Sequence, residues 1–258
     1  MSVLENLDYS FIDNHSEKTI ILIPDVYYDY SFYSEIIDSV PLGYNFLFFN
    51  LPGFGTSVCD RNFDLHDTVE VVETLVSNLG LKKVILFGHG YGVNVALRYN
   101  DASPEDTCAM ILCSGSKIPV HHLYKEAILG SINHYYNGDI SLHDFTNILR
   151  ENNFTNIHSE KAKQWTEHLI SLDKDALMAQ TQATLSAGTL VEKLDVNRLR
   201  RVLIIHGESD RIYSPECSEK LSIEIETCTL HILKGKSHAL FEDDQIVEKY
   251  INPFIDKL

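Results

Sequence analysis

Near the end of the chain, an aspartate and a histidine follow two consecutive apolar runs. Asp210 comes shortly after the run RVLIIH at residues 201–206, and His238 comes shortly after the run CTLHIL at residues 228–233. If the two side chains pair, the carboxylate fixes the tautomer of the imidazole and leaves its other nitrogen facing a pocket as a general base. Turn aspartates and surface histidines are also common after strands, so the neighbouring motifs must decide whether this pair has a catalytic role.

A glycine-rich turn lies in the first half of the chain. The segment Gly88-His89-Gly90-Tyr91-Gly92 follows the apolar run VILF and predicts a strand, a tight turn and a helix start. Glycines after a strand can also cradle a pyrophosphate, but the dinucleotide fingerprint needs a third glycine where this chain has Val93. That fingerprint also belongs to the first strand-helix unit, so we predict no nucleotide and no other cofactor.

Short apolar runs that end at turn residues predict buried strands along most of the chain. Between them, residues 64–79 carry apolar side chains at helical spacing and stop before Gly80, which predicts an amphipathic helix. Strands that alternate with helices form a parallel sheet with helices on both faces. The predicted strands are residues 18–24, 44–50, 82–87, 107–113, 201–206 and 228–233.

The alternation is interrupted in the middle of the chain. From about residue 116 to residue 188 the sequence contains polar helical stretches, including 159–171 and 174–186, and no strand-like run. We predict an inserted helical cap at residues 116–190, between a first core part at residues 1–115 and a second at residues 191–258. Helical structure is expected again at residues 215–221 and from about residue 244.

The order of these segments resembles the α/β-hydrolase family. The turn around Gly90 is similar to the nucleophile elbow G-x-S-x-G of that family, and residues 50–57 (NLPGFGTS) are similar to its D-x-P-G-x-G-x-S loop. Together with the segments GESD and GKSHALFE, which end the second half of the pattern, this implies an α/β-hydrolase fold. At the centre of the elbow, however, Gly90 has no hydroxyl that could attack a carbonyl.

The resemblance assigns roles to specific residues. It implies that Asp210 is the catalytic acid of the family and His238 its general base, and that the amides of Val26 and Tyr91 are the oxyanion donors. Asp25 departs from the pattern, because the family has a glycine there. A carboxylate beside a developing oxyanion would oppose it, so either Asp25 points elsewhere or the site no longer stabilises that charge.

Further residues are candidates for the pocket or for a different nucleophile. We predict that Tyr27, His89 and Ser114 line or flank the pocket, although a histidine before the centre of the elbow usually packs behind the sheet. Cys113, Ser114 and Ser116 end a strand at the same sheet edge, and a thiolate is the better nucleophile of these if its pKa is lowered. None of them lies on an elbow.

Composition limits the partners. The 258 residues include 21 Lys and Arg against 37 Asp and Glu, and the formal charge of −16 disfavours nucleic acid and anionic membranes. The first ten residues show no secretory signal and no apolar run has transmembrane length, so we expect a cytoplasmic protein with no membrane partner. The five cysteines are expected to be reduced, and the pair His121-His122 has no companion ligands, so no metal is predicted. The oligomeric state is not predicted.

Three functions remain open. In the first, an enzyme keeps His238 and Asp210 as a general-base pair and acts on a small organic substrate by lyase, cyclase or non-classical hydrolase chemistry. In the second, the protein is a serine esterase, lactonase or thioesterase inactivated by a serine-to-glycine substitution at position 90. In the third, it is a catalytically silent member of the fold that binds a ligand or a protein.

Overall fold

A seven-stranded sheet forms the centre of the molecule, in the strand order β1-β3-β2-β4-β5-β6-β7. The computed structural model describes residues 7–39, 43–57, 63–191, 194–196, 199, 201–243 and 245–258. The strands are β1 (Tyr9–Ile12), β2 (Thr19–Ile23), β3 (Asn45–Phe49), β4 (Val84–His89), β5 (Thr107–Cys113), β6 (Val202–Gly207) and β7 (Cys228–Leu233).

Six of the strands were predicted from their apolar runs, and β2 to β7 are parallel to one another. Every residue of β2, β3, β4 and β6 is buried, because helices or neighbouring strands cover them. The predicted parallel sheet is therefore confirmed. β1 was not predicted: it is a short, half-exposed strand that pairs antiparallel with β3, so its sequence YSFI lacks a continuous apolar signal.

The amphipathic helix predicted at residues 64–79 is present as α2 (Leu65–Leu79). In α2 a capping box at Asp64 begins the helix, and Gly80, with φ of 64°, ends it in the left-handed conformation that glycine tolerates. The helices are α1 (Ser34–Ser39), α2 (Leu65–Leu79), α3 (Tyr91–Ala102), α4 (His122–Asn137), α5 (Leu142–Asn153), α6 (Glu160–Ile170), α7 (Lys174–Val191), α8 (Pro215–Glu224) and α9 (Asn252–Ile255), with a 3-10 helix at Tyr30–Tyr33.

Four consecutive helices, α4 to α7, lie between β5 and β6, in the segment for which the sequence predicts a helical insertion. Among them α7 packs against both α4 and the core helix α3. The division of the chain into core and cap domains remains a prediction. Near the C-terminus, residue 244 lies outside the described part, and the closing helical segment consists of a π-helical turn at Val247–Ile251 and α9.

The register of the parallel strands places their carboxyl ends together. Ile23 at the end of β2 lies opposite Gly88 of β4, and His89 at the end of β4 lies opposite Cys113 at the end of β5. Residues that follow β2, β4, β5, β6 and β7 therefore emerge at one edge of the sheet. This edge carries all the site residues that the sequence singles out.

Close packing of α3 on β2 depends on Gly92. A Cβ atom at this position would lie 2.1 Å from the carbonyl oxygen of Ile23, which is backbone and cannot rotate away. We expect Gly92→Ala to lower the free energy of unfolding by about 1–3 kcal/mol, the usual cost of overpacking a core. Urea denaturation followed by circular dichroism measures the change.

Gly130 provides the matched control, since it lies within α4 and a Cβ there meets nothing within 4 Å. Gly130→Ala is expected to raise the free energy of unfolding by up to about 1 kcal/mol, because alanine is the better helix former. Equal effects of the two substitutions would contradict the proposed contact between Gly92 and β2.

Candidate active site

The turn between β4 and α3 has the geometry of a sharp elbow. Gly90 adopts φ of 52° and ψ of −114°, a conformation that is strained for residues with a side chain, and its amide donates to the carbonyl oxygen of Cys113 at 2.9 Å. A Cβ atom on Gly90 would lie 2.2 Å from Cγ of Asp25 and 2.4 Å from both of its carboxylate oxygens. The carboxylate of Asp25 thus fills the space into which a side chain at position 90 would project.

Asp25 follows β2 and points directly into the site. Its Oδ1 accepts a hydrogen bond from the amide of Tyr91 at 2.6 Å, and its Oδ2 lies 2.7 Å from Nε2 of His238. The residue is only 3% exposed. Of the two alternatives that the sequence left open, the structure rules out that Asp25 points elsewhere, because its carboxylate accepts from the amide of Tyr91, one of the two predicted oxyanion donors. The amide of Tyr91 is already engaged by that charge.

His238 and Asp210 are brought together as the motifs predict. Nδ1 of His238 lies 2.9 Å from Oδ2 of Asp210, and both side chains are completely buried. The other carboxylate oxygen accepts the amides of Ile212 and Tyr213 at 2.8 Å and 3.1 Å. These backbone donors fix the carboxylate after β6, so the imidazole ring is held from one side by a rigid partner.

His206, the last residue of the run RVLIIH, adds a further contact. Its Nε2 lies 3.2 Å from Oδ2 of Asp210, and its Nδ1 lies 2.7 Å from the hydroxyl of Ser218. The sequence analysis gave His206 no role, although it stands directly before the segment that carries Asp210. Its position at the end of a strand that shares an edge with the site was the signal that could have identified it.

The protonation of His238 follows from its two carboxylate partners. Burial by itself disfavours the imidazolium, but the negative charge of Asp210 and the hydrogen bonds to Asp210 and Asp25 outweigh it and raise the pKa of His238 to about 10. Burial likewise opposes the ionised form of Asp210, yet the charge of His238 and the hydrogen bonds from His206 and His238 hold the pKa of Asp210 far below its usual range. At neutral pH the ring is therefore a cation between two carboxylates.

This arrangement corrects one expectation. The sequence predicts that Nε2 of His238 faces an open pocket as a general base, but in the structure Nε2 is occupied by Asp25. An imidazolium donates from both nitrogens and has no lone pair to accept a proton. In this state His238 is the cationic partner of Asp25, and it becomes a base only after Asp25 has moved and the Nε2 proton has left.

His89 packs against His238. Its ring stacks on that of His238 with centroids 4.9 Å apart, and its Nε2 lies 3.1 Å from the carbonyl oxygen of His238, to which it must donate. Nδ1 then accepts from the hydroxyl of Tyr33 at 2.8 Å, and that hydroxyl accepts from the amide of Asp25. Burial and the charge of His238 lower the pKa of His89 to about 4, so it is neutral.

The other candidates take structural positions. Val26, the proposed first oxyanion donor, is buried beside Asp25, and Tyr27 reaches into the helical insertion. Ser114 has φ of 47°, and its buried hydroxyl finds no hydrogen-bond partner among the described residues. The hydroxyl of Ser116 lies 3.3 Å from the carbonyl oxygen of Cys217. Burial raises the pKa of Cys113 well above its ordinary value, so this thiol is a poor nucleophile.

Metal-binding side chains and cysteine thiols are two further kinds of group that could take part in chemistry. Within the described ranges no group of three or more His, Cys, Asp or Glu side chains is arranged to hold a metal ion. Cys59 lies outside the described residues, while the other four cysteines, Cys108, Cys113, Cys217 and Cys228, are free thiols.

Comparison with known proteins identifies the family. The family model described as serine aminopeptidase, S33, matches residues 14–245, nearly the whole chain. The chain belongs to this hydrolase family. A relative, the uncharacterized hydrolase YugF of Bacillus subtilis (strain 168), is 21% identical over 268 residues, which cover 97% of this chain and 94% of the relative.

Comparison with solved structures shows which fold this S33-family chain adopts. The enol-lactonase from Burkholderia xenovorans LB400 superposes with a TM-score of 0.85 at 15% identity, covering 99% of each chain. An esterase from Exiguobacterium antarcticum gives a TM-score of 0.82 at 16% identity, covering 97% of this chain and 94% of the esterase. The predicted α/β-hydrolase fold is confirmed. In the described part of the chain, none of the helices combines the length and the apolar character needed to cross a bilayer.

The two stacked histidines of this S33-family protein should differ in charge at neutral pH. We expect nitrogen-detected NMR to show His238 protonated on both nitrogens at pH 7 to 9 and to lose a proton near its pKa of about 10. His89 is the internal control, with one protonated nitrogen down to a pKa of about 4. A titration of His238 near the ordinary histidine value of about 6.5 would contradict the double carboxylate contact.

The raised pKa of His238 also makes the free energy of unfolding depend on pH. The pKa of His238 is about 10 in the folded protein and about 6.5 in an unfolded chain. Its contribution to the free energy of unfolding is therefore complete below pH about 6.5 and is lost as the pH rises to about 10. Asp210 has the opposite sign, so its contribution is present at neutral pH and is lost in acid.

Proposed function

We propose that Gly90 stands where hydrolases of this fold carry the nucleophilic serine, and that the protein acts on a small organic substrate by proton transfer through His238 and Asp210. The observation that carries this proposal is the hydrogen-bonded series Asp25–His238–Asp210, in which a second carboxylate replaces the serine hydroxyl as the partner of Nε2. Such a series has an acid, a base and an amide donor, but no hydroxyl nucleophile.

The fit between Gly90 and Asp25 argues against a serine enzyme that has merely lost its hydroxyl. Restoring a side chain at position 90 would bring its Cβ within 2.2–2.4 Å of the Asp25 carboxylate. The missing side chain at position 90 and the carboxylate at position 25 thus depend on each other. A glycine that arose alone in an intact serine site would leave a gap beside His238, and the structure has a filled position instead.

For turnover, Asp25 must leave the site. Its departure frees Nε2 of His238 and the amide of Tyr91, and removes one of the two carboxylates that favour the imidazolium. His238 passes its Nε2 proton to Asp25 as that carboxylate leaves, or to solvent afterwards, and can then accept a proton from the substrate or from a water that attacks the substrate. The amides of Tyr91 and Val26 donate to the oxygen on which negative charge develops, and His238 returns the proton to the leaving group or product.

The substrate class is proposed from the chemistry of these donors. Two backbone amide donors together with a general base suit a carbonyl group that becomes an enolate or a tetrahedral oxyanion. The relatives of similar fold include proteins described as an enol-lactonase and an esterase, which supports small esters, lactones and enolisable carbonyl compounds as the first substrates to test.

A silent binding protein is the second candidate, and one observation favours it. Asp25, His238 and Asp210 are all buried, and their polar atoms make hydrogen bonds within the protein. A network satisfied in this way holds the loop after β2 in place without any ligand. In that case these residues stabilise the folded structure, and removal of His238 changes stability alone.

Substitutions at positions 90 and 25 test the proposal that the Asp25 carboxylate occupies the place of a serine side chain at position 90. We expect Gly90→Ser alone to remain unlabelled by a fluorophosphonate probe, because the new side chain collides with Asp25 and His238 stays bound to that carboxylate. The double variant Asp25→Gly with Gly90→Ser is expected to be labelled, since the serine hydroxyl then takes the place of Oδ2 beside Nε2. Mass spectrometry of the labelled peptide identifies the residue.

Two controls accompany this experiment. Adding His238→Ala to the double variant should abolish labelling, and Asp25→Gly alone should remain unlabelled because it supplies no hydroxyl at position 90. If the single Gly90→Ser variant is labelled at position 90 as strongly as the double variant, Asp25 does not occupy the nucleophile space.

Turnover itself separates an enzyme from a binding protein. On a panel of small esters, lactones and enolisable ketones, we expect at least one substrate whose conversion falls by about 10²–10⁴-fold in His238→Ala, the usual contribution of a general acid–base group. His122→Ala, at an exposed histidine at the start of α4, is the matched control and should retain full activity.

Chromatography and NMR of the reaction mixtures measure this conversion. Loss of activity in both histidine variants would indicate general destabilisation, which the midpoint of thermal unfolding detects. Unchanged conversion in a folded His238→Ala variant would reject the proton-transfer mechanism.

A further inference from the structure

Tyr27 has an unusual backbone conformation two residues after Asp25. Its φ is 67°, in the left-handed region that residues with a side chain rarely adopt, and the residue is buried. Strain of this kind persists only where the surroundings fix it. Because Tyr27 lies two residues after Asp25, its backbone conformation contributes to the direction of the chain segment that carries Asp25.

Two neighbouring residues of α7 hold Tyr27. Oε1 of Gln180 accepts a hydrogen bond from the amide of Tyr27 at 2.5 Å, and Oγ1 of Thr181 lies 2.5 Å from its hydroxyl. Thr181 donates its own proton to the carbonyl oxygen of Leu177, so the hydroxyl of Tyr27 is the donor in that pair. Both helix residues are fully buried.

Gln180 also joins α7 to the core. Its Nε2 donates to the carbonyl oxygen of Pro52 at 3.1 Å, in the loop after β3. One amide side chain therefore connects the helix with the loop after β2 and the loop after β3. Any shift of α7 away from the sheet breaks these contacts together and leaves Tyr27 free to return to an ordinary backbone conformation.

We propose that Gln180 and Thr181 are positioning residues that hold Asp25 in the site through Tyr27, so that movement of α7 releases Asp25 and opens the site to substrate. This inference rests on the proposed function, in which Asp25 must leave before His238 can act as a base. The closed state is the one that the structure shows, and the open state frees Nε2 of His238 and the amide of Tyr91.

A ligand in a surface pocket can contact Tyr27. The pocket lies between the loop after β2 and α6, and Tyr27 forms part of its wall together with Phe32, Trp165 and His168. A molecule bound there touches the residue whose backbone fixes Asp25. Substrate that binds in this pocket can therefore act on Asp25 through Tyr27. This coupling does not require a passage that is already open between the pocket and Asp25.

The adjacent tyrosine supplies a matched comparison. Tyr28 is also fully buried and donates its hydroxyl to a side chain of the helical insertion, Oδ1 of Asn153, at 2.8 Å. That contact belongs to α5, and Tyr28 is not among the residues with positive φ. Tyr27→Phe and Tyr28→Phe thus each remove one buried hydroxyl from the same loop, but only the first loosens the attachment to α7.

The experiment follows the Nε2 proton of His238 by NMR, which needs no substrate. We expect Tyr27→Phe and Thr181→Val to accelerate exchange of this proton with water by about tenfold, the effect of losing one net hydrogen bond from the closed state. Thr181→Ser keeps the hydroxyl and should retain the original rate. Tyr28→Phe should also leave the rate unchanged, although it lowers stability by a similar amount.

The outcomes are distinct. Equal acceleration in Tyr27→Phe and Tyr28→Phe would overturn the proposal, because the effect would then reflect general loosening of the loop. Unchanged exchange in both Tyr27→Phe and Thr181→Val would overturn it as well. If exchange responds as expected while no substrate is ever converted, the positioning role stands and the proposed enzymatic function fails. If conversion depends on His238 and exchange does not respond, the proposed enzymatic function stands and the positioning role fails.

Discussion

A buried imidazolium between two carboxylates is the interaction on which this site depends. The His238 ring donates to Asp210 and to Asp25 at 2.9 Å and 2.7 Å, and the loss of either carboxylate would leave one of its buried N–H groups without a partner. The amide of Tyr91 and the amides of Ile212 and Tyr213 share the remaining negative charge. These donors follow β4 and β6, so the ionic series also ties the loops of the sheet edge together.

Under the proposed function, a carboxylate takes the place of a serine hydroxyl and changes the chemistry that the site can perform. In the closed state the candidate base nitrogen is protonated and bound, and the amide of Tyr91 is neutralising a resident charge. Under the proposed function, the site acts only after a conformational step that moves Asp25. On the same proposal, the contacts between Tyr27 and α7 place control of that step in the helical insertion.

Much of the scaffold was predictable from local patterns. Continuous apolar runs located β2 to β7, and Asp64 and Gly80 marked the ends of α2. The strand β1 was missed because an exposed edge strand needs no such run. The pairing of Asp210 with His238 was expected from segment order, whereas the contacts of Tyr33 and Gln180 had no sequence signal beyond their residue types.

The sequence by itself determined the parallel sheet, the order of the segments that meet at its edge, and the absence of a hydroxyl at Gly90. Only the tertiary structure decided that Asp25 turns into the site, that Nε2 of His238 is occupied and that Tyr27 is held by α7. The physical reason is distance along the chain. Asp25 and His238 are 213 residues apart, and Tyr27 and Gln180 are 153 apart. Backbone direction, burial and charge at such a meeting point are set jointly by all the elements that surround it, and no single segment encodes them.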